Sequence, residues 1–476
     1  MIKRSFLRGV APLLLLSLGA CGAAGEASSA PQGDDSTPPP DQPAAPPGDR
    51  PTAFRPTGVA LDRADTPRDP AASTDPAALA GAVAANNAFA LDLYAHVLAA
   101  RSAPGNVMTS PLAASLALTM AYAGAQGQTS TEMASALHYG DSAASIFDGQ
   151  NALAAALVSR ASDAFAVAGK SAASSGRPAP VASDYELQVV DSVWGEQTYP
   201  WAQPFLTTLA KSYGTGVYLR DFVHQPDEAR LTVDGWVSQE TGGAIADLLP
   251  PGAVDDTTRV VLVNALHLRM PWDAPFNPSA TASAVFTRGD GTTVSTPFMN
   301  AKPRGLPYVD DGKAQIVAVP LAGRSISVVF ALPHGDLATY EAAMTALAVP
   351  TSQPMVTLSL PRFTFTSRGV SLAGPLQAMG MKQAFSATLA QFQGMCSIPP
   401  DGAHLHVGDV LQETTIGVQE NGVEAAAATA VTEPGIATQH PLVLTLDRPF
   451  VVAIVDASGA VIFLGHVEDP TETTGD

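Results

Sequence analysis

From about Leu79 onward, two hydrophobic periods alternate along the chain. The stretch "LAGAVAANNAFALDLYAHVLAA" places apolar residues at helical spacing, and Pro104-Gly105 ends it. "PLAASLALTMAYAGA" predicts a second helix, with Ser110 at its N-cap and Pro111 at its first position. "QTSTEMASAL" predicts a third. Residues 141–184 are rich in Ala and Ser, with a loop at "SSGRPAPVAS". After them, strand-like runs alternate with helices: "YELQVVDSVWG", "TTRVVLVNALHLR", "AQIVAVPL", "SISVVFALP" and "MVTLSLPRFTF". The last stretch, "HPLVLTLDRPFVVAIVDASGAVIFLGHVEDP", reads as strands around a turn at Ser458-Gly459. Neither a βαβ repeat nor an internal repeat is visible. The pattern predicts an α+β chain.

The N-terminus follows another logic. Lys3, Arg4 and Arg8 precede the apolar stretch "GVAPLLLLSLGA", which is too short to span a bilayer and fits a secretory signal. It ends in Leu18-Gly19-Ala20-Cys21, which resembles the lipobox of bacterial lipoproteins. That resemblance implies a signal over residues 1–20 and a lipid on Cys21; an ordinary signal cut near Ala20 is the alternative. Gly22, where an Asp would retain such a protein, implies the outer membrane of a Gram-negative cell. Whether the domain faces the periplasm or the outside stays open. Residues 21–76, with "TPPPDQPAAPPGDRP", have few large apolar side chains to bury and are expected to form a disordered tether. The folded domain is expected over residues 77–470, with a tail at 471–476.

Composition narrows the chemistry. The net charge of −19 repels phosphate backbones and argues against nucleic-acid partners. The two cysteines are Cys21 and Cys396; with Cys21 lipidated, no intrachain disulfide is expected. Cys396 reads as a half-buried structural thiol rather than a nucleophile. G-x-S-x-G, H-E-x-x-H, C-x-x-C and P-loop motifs are absent, so neither enzyme nor cofactor is expected. His404 and His406 sit two apart and could face one side of a strand, but a metal pair would need further ligands, and they read as surface residues rather than a metal site.

A series of motifs then resembles the serpin family. In order they are "NVMTSPLAASLALTMAYAGAQGQTSTEM", "VDGWVSQETGGAIADLLP", "LVNALHLRMPWDAPF" with Asn264, Trp272 and Phe276, "TPFMNAK", "LSLPRFTF", "MGMKQAF", "QENGVEAAAATAV" and "DRPFVVAIVDASGAVIFLGHVEDP". The resemblance covers about residues 80–470. It implies three β-sheets with about nine helices in one domain. It also implies a monomer that inhibits proteases through an exposed reactive-centre loop. A protease that cuts the loop is held as a covalent acyl complex while the loop's N-terminal part inserts into the main sheet. A non-inhibitory member, serving as a binding or chaperone-like protein, is the alternative.

The hinge of that loop can be read physically. By itself "EAAAA" is a good helix. As an inserting strand led by Glu420 and pivoting at Gly422, it sends Val423, Ala425, Ala427 and Thr429 to one face, and Glu424, Ala426 and Ala428 to the other. The first face carries no charge and no bulk, which a strand entering a packed sheet requires. The resemblance further implies a polar sheet-opening cluster at Ser110, Asn264 and Gln412, with Ala113 replacing a second Ser, and a loop-base pair between Glu420 and Arg362. Val423 departs from the Thr or Ser more usual there, and Gln412 from a His. Counting from Gly422 places the scissile bond between Ile436 and Ala437, and counting back from "DRPF" places it after Thr438. No Lys, Arg, Phe, Tyr or Trp lies between Asn421 and Asp447, which disfavours trypsin-like and chymotrypsin-like targets. Ile436 suits an elastase-like protease; subtilisin-like and papain-like targets remain alternatives.

Overall fold

In the computed structural model the described residues are 59–70, 75–140, 143–176, 178–397, 399, 402, 404–424 and 441–475. They form an α+β fold with three sheets. The main sheet has eight strands in the order β1 (Ala60–Asp62), β4 (Val217–Arg220), β3 (Glu186–Glu196), β5 (Val260–Pro271), β15 (Gly422–Val423), β14 (Leu411–Val418), β13 (Phe363–Ser371) and β19 (Thr474–Gly475). The second has six, β2 (Val107–Thr109), β18 (Val461–Val467), β17 (Phe450–Asp456), β11 (Ile326–Pro333), β10 (Ala314–Pro320) and β9 (Tyr308–Asp310). The third orders β16 (Leu442–Thr445), β12 (Met355–Pro361), β7 (Thr293–Asn300) and β6 (Ala282–Thr287), with β8 (Arg304–Gly305) also on β12.

Eight α-helices lie among the described residues: α1 (Pro76–Ala100), α2 (Pro111–Tyr122), α3 (Gly127–Ala136), α4 (Ala143–Ser175), α5 (Gln203–Thr208), α6 (Pro226–Glu240), α7 (Leu337–Ala342) and α8 (Ala373–Ala378). The Ala/Ser-rich stretch after residue 141 is largely the long α4.

Strands β17 and β18 are buried on both faces, which is why they read as unbroken apolar runs. Phe450, Val452 and Ile454 enter one core and Val451, Ala453 and Val455 the other. Helix α2 lies between the same two cores, with Leu112 and Leu116 on one side and Leu118 and Met120 on the other. Ser110 stands at its N-cap, but the hydroxyl donates to the Ile462 carbonyl at 3.0 Å rather than accepting from the helix. A third core lies between α6 and the outer face of the main sheet. There Trp194 stacks on Tyr218 with centroids 4.9 Å apart and meets Trp236 edge-on at 5.7 Å. Arg230 of α6 donates to Asp234 at 2.9 Å and to the Leu249 carbonyl at 3.0 Å, tying the helix to the turn after it.

The folded body begins earlier than the expected tether boundary at residue 76. Val59 and Ala64 are buried, and Ala60, Leu61 and Asp62 pair with Leu219, Tyr218 and Val217 at the sheet edge. Arg68 donates to Asn151 at 2.7 Å, and Asn151 returns a bond to the Asp69 carbonyl at 2.8 Å. A segment with few apolar residues still folds when a sheet edge offers backbone partners. The same holds for the expected tail: Thr474 and Gly475 pair with Thr366 and Ser367 at the opposite edge.

Gly216 makes the first attachment possible, because a Cβ there would lie 2.2 Å from the Asp62 carbonyl oxygen. Gly216→Ala is therefore expected to expel the Ala60–Asp62 strand at a cost of about 1–3 kcal/mol. Limited proteolysis checks this: cuts within residues 59–70 should appear much faster in the variant.

Candidate functional site

The centre of the main sheet is built around a two-residue strand. The chain leaves β14 at Val418, turns through Gln419, Glu420 and Asn421, and re-enters the sheet as β15 between β14 and β5. Val423 pairs with Val418 on one side and with Met270 on the other, while Gly422 pairs with Pro271. The Val423 side chain is 2% exposed and joins the core shared with Met270 and Val418. The end of β5 clasps the turn. Trp272 Nε1 donates to the Gln419 carbonyl at 2.7 Å, and its backbone N–H donates to Asn421 at 2.9 Å. The Phe276 N–H donates to the Glu420 carbonyl at 2.9 Å.

Beyond this point β5 and β14 lie side by side with no described strand between them. Val260–Arg269 is laddered to β3, and Leu411–Gly417 to β13. Among the described residues, no ladder joins β5 directly to β14. A cavity of about 480 Å³ lies at the far end, lined by Arg259, Val260, Leu262, His406, Asp409 and Leu411 among others.

Two polar contacts brace the site. Arg362 Nη2 donates to Glu420 Oε1, which also accepts from Thr281 Oγ1 at 2.7 Å. Burial pushes the Glu420 carboxyl up, but hydrogen bonds from Arg362 and Thr281 outweigh it and leave it below its ordinary value. Lower on β14, Gln412 Nε2 donates to the Ser110 carbonyl at 2.8 Å, and its Oε1 accepts from the Ser110 N–H at 2.8 Å. The amide thus satisfies both backbone groups of one buried residue. Thr414 Oγ1 donates to the Met108 carbonyl at 2.9 Å. Together they hold the inner face of β14 to β2 and the N-cap of α2.

Of the residues named from sequence, Ser110 and Gln412 come together, as do Glu420 and Arg362. Asn264 lies on β5, its backbone opposite Asp191. Ala113 is buried in the core. Gly422, Val423 and Glu424 are the last described hinge residues; Ala425, Ala426, Ala427, Ala428, Thr429, Ile436, Ala437 and Thr438 lie outside the described residues, as does Cys21. Cys396 is 1% exposed, deeper than the half-buried position expected, because Phe392 and Met395 draw its loop into the core. His406 Nδ1 lies 3.1 Å from the His404 carbonyl. Sequence reading missed Thr281 and His267; the latter faces Glu424 across the mouth of the site, and only its place in an alternating strand hinted at an outward role.

Comparisons with known proteins bear on this arrangement. A family model described as serpin (serine protease inhibitor) matches residues 84–470. The human leukocyte elastase inhibitor is 30% identical over 407 residues, covering 81% of this chain and 98% of that protein. Iris from Ixodes ricinus is 31% identical over 394 residues, covering 80% and 97%. Among solved structures, the thermophilic serpin tengpin in its native state gives a TM-score of 0.69 at 23% identity, covering 86% of this chain and 99% of that one. Arabidopsis AtSerpin1 in its native stressed conformation gives 0.67 at 24%, covering 83% and 99%. At these identities the structures speak to the fold.

Arg362→Ala is expected to lower stability by about 1–3 kcal/mol near neutral pH by leaving the Glu420 carboxylate buried with one donor fewer. Because this carboxyl is held below its ordinary value, its contribution is present above that value and lost as pH falls through the lowered one. Urea midpoints of the two proteins should differ at about pH 7 and converge toward about pH 3.

Proposed function

This chain belongs to the serpin family and is a protease inhibitor, and from that premise we propose that it traps an elastase-like serine protease as a covalent acyl complex through insertion of its loop into the main sheet. The observation that carries this reading is the position of Gly422 and Val423. They already form the first rung of a strand between β5 and β14, and the facing edges of those strands have no described ladder beyond it. A cut after Ile436 frees the chain that follows Glu424. With Val423 facing the core, Ala425, Ala427 and Thr429 follow on that face, and small uncharged side chains enter it with little steric or desolvation cost. The inserted backbone gains ladder bonds on both sides, and the protease, esterified to the new end, is carried with it. Until the cut, the open form persists kinetically.

The elastase-like preference rests on Ile436 and on the absence of Lys, Arg, Phe, Tyr and Trp between Asn421 and Asp447. The 30% identity to human leukocyte elastase inhibitor supports it. Glu420 with Arg362 and Gln412 with Ser110 serve as loop-base and sheet-opening contacts, and Asn264 belongs to the second group. Cys21 carries a lipid that holds the domain at the outer membrane, and the Pro-rich residues after it serve as a tether.

Incubation with elastase-like proteases should give an SDS-resistant complex. Ala427→Arg should convert the inhibitor into a substrate, because a guanidinium on the buried face costs several kcal/mol and slows insertion below deacylation. Cleavage by every protease of a panel without an adduct would instead identify a non-inhibitory member. Cys21→Ser should move the folded protein from the membrane pellet to the soluble fraction, as immunoblots of cell fractions would read.

A further inference from the structure

The hinge ends in a carboxylate that the trapping reaction does not use. Glu424 follows Val423 with its backbone N–H on the Gly417 carbonyl at 2.9 Å, and at φ 50° its backbone lies in the left-handed region uncommon for residues other than glycine. Its side chain does not reach open water: the carboxylate is 19% exposed, and Oε1 is buried with no hydrogen-bond partner among the described residues. Oε2 lies 3.5 Å from His267 Nδ1 on β5. The other ring nitrogen of His267 lies 3.6 Å from Glu186 Oε2 on β3, and that imidazole side chain is 10% exposed.

The setting is the outward face of the sheet. Inward, Leu266, Leu268 and Met270 of β5 fill the core; outward, His267 and Arg269 stand beside Glu186 and Gln188 of β3. The charged groups around the pair are Glu186 from β3, Arg269 from β5 and Asp184, which lies 3.5 Å from Arg269. On the other side β14 presents only Gly417, whose absent side chain leaves room for the Glu424 stem, and β13 presents Thr364. One imidazole is thus placed between a carboxylate of the fixed sheet and a carboxylate of the movable hinge.

We propose that His267 is a positioning residue for the hinge: it and Glu424 face each other as neutral groups when Gly422 and Val423 are docked between β5 and β14, and the hinge is released as Glu424 gives up its proton. The limits follow from the sign of each group. Burial pushes the docked Glu424 carboxyl up to about 7, with Arg269 opposing, whereas a withdrawn hinge returns it toward 4.5. Its contribution to docking is therefore full in acid and fades as pH rises through about 7. Burial first, and Arg269 second, push His267 below 6.5. Its contribution is present above 6.5 and fades as pH falls through the lowered value. Above the lowered His267 value and below about 7 the docked pair holds one proton, on Glu424, and up to 6.5 the rising His267 contribution offsets part of the Glu424 loss.

The test is hydrogen exchange of the Gly422–Glu424 amides in the full chain, corrected for intrinsic rates, across about pH 5 to 9. Wild type should lose protection from the acid toward the alkaline end of that range, with little further loss well above about 7. Glu424→Gln should keep its protection there, because the neutral amide does not titrate. His267→Gln should lose about tenfold or more between the two ends, more than wild type, because the offsetting histidine contribution is gone. A flat wild-type profile, or an alkaline loss in Glu424→Gln equal to that of wild type, overturns the proposal. If Glu424→Gln fails to fold, His267→Gln decides, and a pH dependence equal to that of wild type overturns it. The readout follows docking and not inhibition, so a chain that trapped no protease would still answer it.

Discussion

A backbone N–H or C=O buried without a partner costs about as much as several favourable contacts return, so sheets complete their ladders wherever they can. Among the described residues, the main sheet lacks a ladder along one seam. Its two central long strands, β5 and β14, are laddered outward to β3 and β13, and β15 bonds to both at one end of the seam. Every other feature of the site arranges itself around that seam. The turn before Val423 is clasped by Trp272 and Phe276, the base is braced by Arg362, and the far end opens into a cavity.

The two halves of the sheet are held differently. On the β5 side, a ladder of ten paired residues with β3 and the Trp194–Tyr218–Trp236 cluster make a rigid block. On the β14 side, beside the packing of Ile416, Val418 and Phe365, two directional attachments reach β2 and the N-cap of α2: Thr414 on Met108 and Gln412 on Ser110. Apolar contact is lost gradually as surfaces slide, but a hydrogen bond is lost over about an ångström and re-formed as sharply. The β14 side thus adds bonds that are either made or broken to the packing that both sides share.

The parts legible in the sequence were those whose pattern is local. β17 and β18 announce themselves as unbroken apolar runs because both faces are covered, and Ser110-Pro111 marks the start of α2. The order of the motifs carried the family and the fold. The outer strands were not legible. Ala60–Asp62 and Thr474–Gly475 have little apolar signal and exist because β4 and β13 offer free edges. The outward contacts were equally hidden: His267 and Glu424 are far apart in the chain, and neither residue type declares a partner. The Gln412–Ser110 bond, 302 residues apart, was reachable only through the resemblance.

The order of the main sheet has a mechanical meaning. Its first strand comes from the N-terminal end of the described chain and its last from the C-terminal end, so the two ends grip opposite margins of one sheet. A full strand added at the centre must drive those margins apart by the spacing of one strand, about 4.8 Å. The sheet therefore behaves as an extensible element with the chain ends as its handles. Widening it does work against any load that draws the ends together, and a load that separates them lowers the barrier to widening. A domain held by one end alone feels no such load, and its sheet is free to expand.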